Sequence, residues 1–350
     1  MDIVEIVNEG SRQGASDVHI TVGIPPTFRI NGELIHQGEK KLTNMDTEDL
    51  VRQVMSDKLF SELLENGEVD FSYSSPGMGR YRVNAYTQRG SFGMALRIIP
   101  LEIPTYKQLG LPSVLSELTK LPRGLILVTG PTGSGKSTTL ATMIDQINRE
   151  KKCHILTLED PIEYLHRHHK SIVNQREIGS DSKSFQKALR GALRQDPDVI
   201  LVGEMRDLET ISIAITAAET GHLVLSTLHT LGAAKTIDRI IDVFPPHQQQ
   251  QVRVQLSSVI QSVISQQLLT KADGKGRVAA LEVMVATPAI RNLIREDKIH
   301  QIDTVIQTGA KFKMQTMDAS LMTLYHKGLI SKETAMSQSI NKEEMKKYIV

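Results

Sequence analysis

Gly130-Pro131-Thr132-Gly133-Ser134-Gly135-Lys136-Ser137 fits the pattern GxxxxGK[ST] at every fixed position. Glycines at 130, 133 and 135 let backbone N–H groups close around phosphate oxygens, and the first turn of a following helix adds a favourable dipole. Lys136 is expected to reach β- and γ-phosphates, and the Ser137 hydroxyl to bind Mg²⁺. With Thr132, Ser134 and Thr138 these residues form the expected site for ATP or ADP. The apolar run GLILVTG precedes them and the helical stretch STTLATMIDQINRE follows, the strand–loop–helix setting that a phosphate cradle needs.

Three further groups could act on a phosphate chain held there. Asp198-Val-Ile-Leu-Val-Gly-Glu204 is an apolar strand whose far end carries Gly203 and Glu204, where the usual strand of this kind ends in Asp. A carboxylate at that end of a neighbouring strand faces the phosphates and can polarise an attacking water. Thr157-Leu158-Glu159-Asp160-Pro161-Ile162-Glu163 gathers three carboxylates behind another strand. That cluster suits a polar loop or, beside a phosphate cradle, a pair of acids positioning Mg²⁺ or water. His222 and His229 stand at the two ends of the strand HLVLSTLH, read either as polar strand ends or as sensors of the γ-phosphate.

The elements that must position these groups are legible in outline. From residue 123 onward, short runs rich in branched residues alternate with helical stretches, which argues for an α/β domain with a mostly parallel sheet covered on both faces. VRVQLSSVIQSVISQQLL has apolar residues at 252, 256, 259, 260, 263 and 264 and reads as one face of a long helix. The section from Pro288 is helical. Residues 1–100 read as a smaller α+β domain: a short first helix, strands joined by a hairpin at Asn31-Gly32, helical spacing from Thr47 to Leu64, and three alternating segments of a half-buried antiparallel sheet. Pro100, Pro104, Pro112 and Pro122 mark residues 101–122 as an interdomain linker.

Composition narrows the partners. A length of 350 residues suggests two domains. Forty-one basic and forty acidic side chains leave a net charge of +1, without the basic excess of proteins that hold nucleic acid through its phosphates, so no nucleic-acid partner is expected. Cys153 is the sole cysteine, which excludes an internal disulfide and a multi-cysteine zinc site. Asp2 and Glu5 stand where a signal peptide would be basic, and no apolar run approaches the roughly 20 residues that span a bilayer. A cytoplasmic protein is expected, without direct membrane insertion.

GPTGSGKST, LEDPIEY, DVILVGEMRD and GHLVLSTLHT, in this order, resemble the Walker A, Asp box, Walker B and His box of the secretion and type IV pilus ATPases. The resemblance covers nearly the whole chain, including Gly14-Ala-Ser-Asp-Val-His-Ile20. It implies a homohexamer with an N-terminal PAS-like domain and a C-terminal RecA-like ATPase domain, peripherally associated with the inner membrane through a pilus platform protein. By the same resemblance Glu204 is the catalytic acid, Glu159 and Glu163 assist Mg²⁺ or water, and His222 and His229 couple phosphate state to domain position. Arg80, Arg82 and Arg97 of the N-terminal sheet are candidates to neutralise γ-phosphate charge. Assembly and secretion members usually carry a longer N-terminal region and a four-cysteine element, and neither is expected of this chain, whose sole cysteine is Cys153. Ala289-Ile-Arg-Asn-Leu-Ile-Arg-Glu296 resembles the retraction motif of the family, which points to pilus retraction and twitching motility, the alternatives being a secretion or pilus-assembly ATPase with the same core and a slow nucleotide-dependent switch. Its Ile290, Leu293 and Ile294 form an apolar stripe, with Arg291, Arg295 and Glu296 off that stripe.

Overall fold

The computed structural model describes residues 1–30, 32–75, 79–99 and 102–349, which divide into two compact units, Met1–Glu102 and Ile103–Val350. The first holds a six-stranded antiparallel sheet of β1 (Asp17–Ile20), β2 (Thr27–Ile30), β3 (Glu33–His36), β4 (Glu68–Ser75), β5 (Gly79–Gln88) and β6 (Ser91–Ile99), in the order β3-β2-β1-β6-β5-β4. Helices α1 (Ile3–Arg12), α2 (Asn44–Gln53) and α3 (Asp57–Asn66) share one core with it, in which Val18, Phe28, Tyr81, Val83 and Leu96 are buried. Alternation along the strands sends Asp17, Arg82 and Arg97 away from this core. The helical spacing from Thr47 to Leu64 proves to be two helices. Ser56 interrupts it because its side chain caps α3 by accepting from the Leu59 N–H. Asn31, half of the expected hairpin turn, and Pro100 lie outside the described residues.

The second unit is built on a seven-stranded sheet of order β13-β12-β7-β11-β10-β8-β9. Its strands are β7 (Gly124–Thr129), β8 (His154–Glu159), β9 (Ile172–Glu177), β10 (Val199–Val202), β11 (Leu223–Leu228), β12 (Ile260–Thr270) and β13 (Arg277–Val285). All neighbours run parallel except the β12–β13 pair. The sheet separates two cores, and β7 shows why a continuous apolar run was needed. Leu125 and Leu127 pack on the side of α7 (Phe185–Ala192), α8 (Leu208–Glu219), α9 (Ala233–Asp242) and α10 (Pro246–Val259), whereas Ile126 and Val128 pack with α6 (Lys136–Glu150). Helices α11 (Pro288–Arg295) and α12 (Ile302–Gln307) extend the first core, and α13 (Met317–His326), α14 (Lys332–Gln338) and α15 (Lys342–Tyr348) enclose a smaller one with Leu269 and Ala280.

Two sequence expectations fail in this unit. The segment read as a linker is part of the domain: it forms α4 (Tyr106–Leu109) and α5 (Ser113–Leu118), and Val114, Leu115 and Leu118 are buried beside Ile126 and Val128. Its prolines mark element boundaries, Pro112 being the residue before α5. The long helix expected over 252–269 ends at Val259, and the chain passes directly into β12. Apolar residues at 259, 260, 263 and 264 mimic a helical stripe because β12 lies inside the sheet and buries side chains on both faces. The edge strand β9 was not foreseen, since IVNQRE is mostly polar.

Candidate functional site

β7 ends at Thr129, and the next six residues turn tightly into α6. Gly130 and Gly135 are required there by different constraints. A Cβ on Gly130 would stand 2.2 Å from the Gln266 carbonyl oxygen, and Gly135 is left-handed at φ 86° where it begins α6. No side chain caps that helix. Its first N–H groups therefore face the loop without an internal acceptor, which suits an anion. The Ser134 hydroxyl is buried without a hydrogen-bond partner, and the Lys136 ammonium donates to the carbonyls of Gly130 at 2.9 Å and Pro131 at 3.0 Å. Burial lowers the Lys136 pKa, and the charge of Glu204 opposes that shift. Ser137 is exposed in the first turn of α6, and Thr138 bonds to the Tyr164 hydroxyl at 3.0 Å. These features fit a nucleotide's phosphates. Among the described residues no group of three or more His, Cys, Asp or Glu forms a metal cluster.

The parallel sheet brings the ends of β7, β8, β10 and β11 to one edge, where open α/β sheets place ligands. Glu204 follows β10 by two residues. One of its oxygens meets Arg206 at 2.6 Å and the other meets His229 Nε2 at 3.4 Å. Gly203 allows this strand end to sit close to β8: its N–H donates to the Leu158 carbonyl at 2.7 Å, and a Cβ there would stand 3.1 Å from that same oxygen. Glu204, Arg206 and His229 line a cavity of about 620 Å³ with Thr132, Thr227 and Arg239. Glu159 ends β8, accepting from Thr157 Oγ1 at 2.7 Å and Gln175 Nε2 at 3.1 Å. Burial among its neighbours raises its pKa, Glu163 adding a smaller repulsion, while the hydrogen bonds oppose the shift. A carboxylate so penalised gains from a nearby cation.

Other expected residues are placed elsewhere. His222 precedes β11 at the end opposite His229, six strand residues or roughly 20 Å away. Its Nδ1 lies 2.8 Å from the Ala217 carbonyl, and its own carbonyl accepts from Gly124, the first residue of β7. It therefore lies away from the phosphate loop of this chain. In the N-terminal unit Arg97 pairs directly across β6 and β5 with Arg82, and across β6 and β1 with Asp17, which it also bonds at 3.0 Å. Arg206, Arg239 and Gln266 were not singled out in the sequence. Arg206 sits two residues after Glu204 and was within reach of the motif reading, whereas Gln266 was hidden inside the misread helix.

The AIRNLIRE segment also differs from its sequence reading. In α11 Ile290 and Ile294 are buried and Leu293 is half-buried. Arg291 is tied into the structure, donating to the Ser257 and Ser258 carbonyls at 2.7 Å each, the Ala286 carbonyl at 3.2 Å and Gln261 Oε1 at 3.1 Å. It caps the end of α10 where that helix becomes β12. Arg291→Ala is expected to lower stability by about 1.5–3 kcal/mol, because it removes charged hydrogen bonds from helix-end carbonyls. Arg295→Ala, on an exposed position, should leave stability unchanged. Equal urea midpoints for the two variants would refute the capping role.

The Type II/IV secretion system protein family matches residues 2–347, and the chain belongs to that family. Within it, the chain is 52% identical over 339 residues to the type IV pilus retraction ATPase PilT of Pseudomonas aeruginosa, covering 97% of this chain and 98% of the relative. The crystal structure of the pilus retraction motor PilT with bound ADP superposes with a TM-score of 0.91 at 53% identity, covering 99% of each chain. A more distant structure, the ATPase DotB of Legionella pneumophila, gives a TM-score of 0.76 at 31% identity over 94% of this chain and 93% of that one.

Proposed function

We propose that this chain hydrolyses ATP to power type IV pilus retraction, and hence twitching motility, as a homohexameric motor. Its support is the placement of Glu204, with Arg206 and His229, beside the loop of Lys136, in a chain similar over nearly its whole length to a retraction ATPase. The loop from Gly130 to Thr138 binds the nucleotide phosphates, and Ser137 would contribute a ligand to Mg²⁺, which when bound would supply charge neutralisation at the transferring phosphate. Glu204 orients and deprotonates the attacking water, each of its oxygens being steered by a cationic or protonatable neighbour. Glu159 and Glu163 assist at the Mg²⁺ side. His229 reports the state of Glu204 to the loop that follows it, and His222 carries that state to the opposite end of β11.

Arg82 and Arg97 act across a domain or subunit boundary, where they neutralise γ-phosphate charge; Arg97 must first release Asp17. The motor works in the cytoplasm against an inner-membrane platform protein, and no helix among the described residues is long and apolar enough to cross a membrane. A strain lacking this chain is expected to be hyperpiliated and unable to twitch, with both defects reversed by the wild-type chain and by no variant lacking ATPase activity. Normal twitching in the deletion strain would overturn the retraction reading.

A further inference from the structure

Gln266 stands in β12, beside the strand that feeds the phosphate loop, and is 2% exposed. Both ends of its amide are engaged. Nε2 donates to the Ser134 carbonyl at 2.6 Å, and Oε1 accepts from the Thr139 hydroxyl at 2.8 Å. Ser134 belongs to the phosphate loop and Thr139 to the first turns of α6, so one side chain ties the loop to the helix it starts. The fit is close: Nε2 would stand 2.8 Å from a Cβ on Gly135, and the Gln266 carbonyl oxygen crowds Gly130 at the other end of the loop. The amide supplies a donor for the Ser134 carbonyl, which can only accept, and an acceptor for the proton of the Thr139 hydroxyl.

The consequence lies in the peptide linking Ser134 to Gly135. A trans peptide points its C=O and N–H in opposite directions. Holding the Ser134 carbonyl toward Gln266 turns the Gly135 N–H away from β12, and that N–H belongs to the set that a phosphate cradle presents to its ligand. The preceding residue, Ser265, faces the other side of β12, where its hydroxyl accepts from Gly232 N–H at 2.9 Å in the loop after His229. One strand therefore grips both loops that flank the cavity.

We propose that Gln266 is a positioning residue for nucleotide binding: it sets the orientation of the Ser134–Gly135 peptide, and acts on the phosphates only through that backbone. The inference rests on the phosphate-loop reading above. Gln266→Met keeps the volume and loses both bonds. Gln266→Glu keeps an acceptor for Thr139 but faces the Ser134 carbonyl with a second acceptor.

ADP affinity by fluorescence titration, ATP turnover, and thermal midpoints of the nucleotide-free proteins test the proposal. Both variants are expected to raise the ADP Kd and the ATP KM at least tenfold, with kcat at saturating ATP falling less than threefold. An ADP Kd within twofold of wild type in either variant overturns the proposal. Amide hydrogen exchange of nucleotide-free Gln266→Asn, whose side chain is too short to span both partners, gives a reading that does not depend on the other variants folding. Faster exchange confined to residues 132–139 is expected; unchanged exchange, or acceleration spread through β7, β11 and β12, marks a packing role and overturns the proposal. Wild type that binds no ADP would instead overturn the phosphate-loop reading and remove the basis of this one.

Discussion

Lys136→Ala is expected to lower ATP turnover by at least about 100-fold and to weaken nucleotide binding, because it deletes the cation nearest the β- and γ-phosphates. The lysine lies at the base of the loop, 9% exposed, with its ammonium on the carbonyls of Gly130 and Pro131. It is thus held at the site by the loop itself, and removing it leaves two carbonyls where a positive charge stood. Since a side chain so deep in the fold offers little to a subunit interface, the assembly state should survive the substitution. Sedimentation together with a phosphate-release assay separates the two effects. Near-wild-type turnover in this variant would end the phosphate-loop assignment.

Glu204→Gln should behave differently: kcat falls about 10²–10⁴-fold while ADP affinity stays within a few-fold of wild type. The carboxylate contacts Arg206 and His229 rather than a loop N–H, so its loss leaves the phosphate cradle intact. Glutamine preserves the shape and one acceptor but cannot take a proton, which isolates the general-base role from packing. Titration with ADP and steady-state turnover at saturating ATP distinguish the outcomes. If kcat is retained, another group activates the water, and Glu159, a second carboxylate at this sheet edge, is the next to vary. If ADP affinity collapses along with turnover, Glu204 serves the shape of the site rather than its chemistry.

Much of this site was written locally in the chain. The phosphate loop depends on glycines at fixed offsets and on a strand and helix adjoining it, all within residues 124–150, so its type and its neighbours could be read together. Glu159, Glu204 and His229 were legible for a related reason. Each follows an apolar run, and parallel strands in one sheet must end at a common edge. The same rule separates His222 from them, because it stands before its strand and His229 after it. Order along the chain places one histidine beside the site and the other away from it, yet the sequence reading recognised the strand and assigned both to the phosphates.

What only the tertiary structure decided lies in segments whose local pattern is ambiguous. A strand buried on both faces has no alternation to display, and the apolar spacing of β12 matched a helix well enough to hide it. With that strand went Gln266, whose two hydrogen bonds join residues 132 and 127 positions apart in sequence. The prolines of residues 101–122 signal breaks in regular structure, yet whether such breaks form a free linker or a packed corner depends on Val114, Leu115 and Leu118 finding Ile126 and Val128. Arg291 looked like the charged face of an amphipathic helix until α10 ended beside it and supplied two carbonyls. Composition and spacing record what a residue can do within a turn or two of chain, whereas burial, partners and pKa depend on which distant segments the fold packs around it.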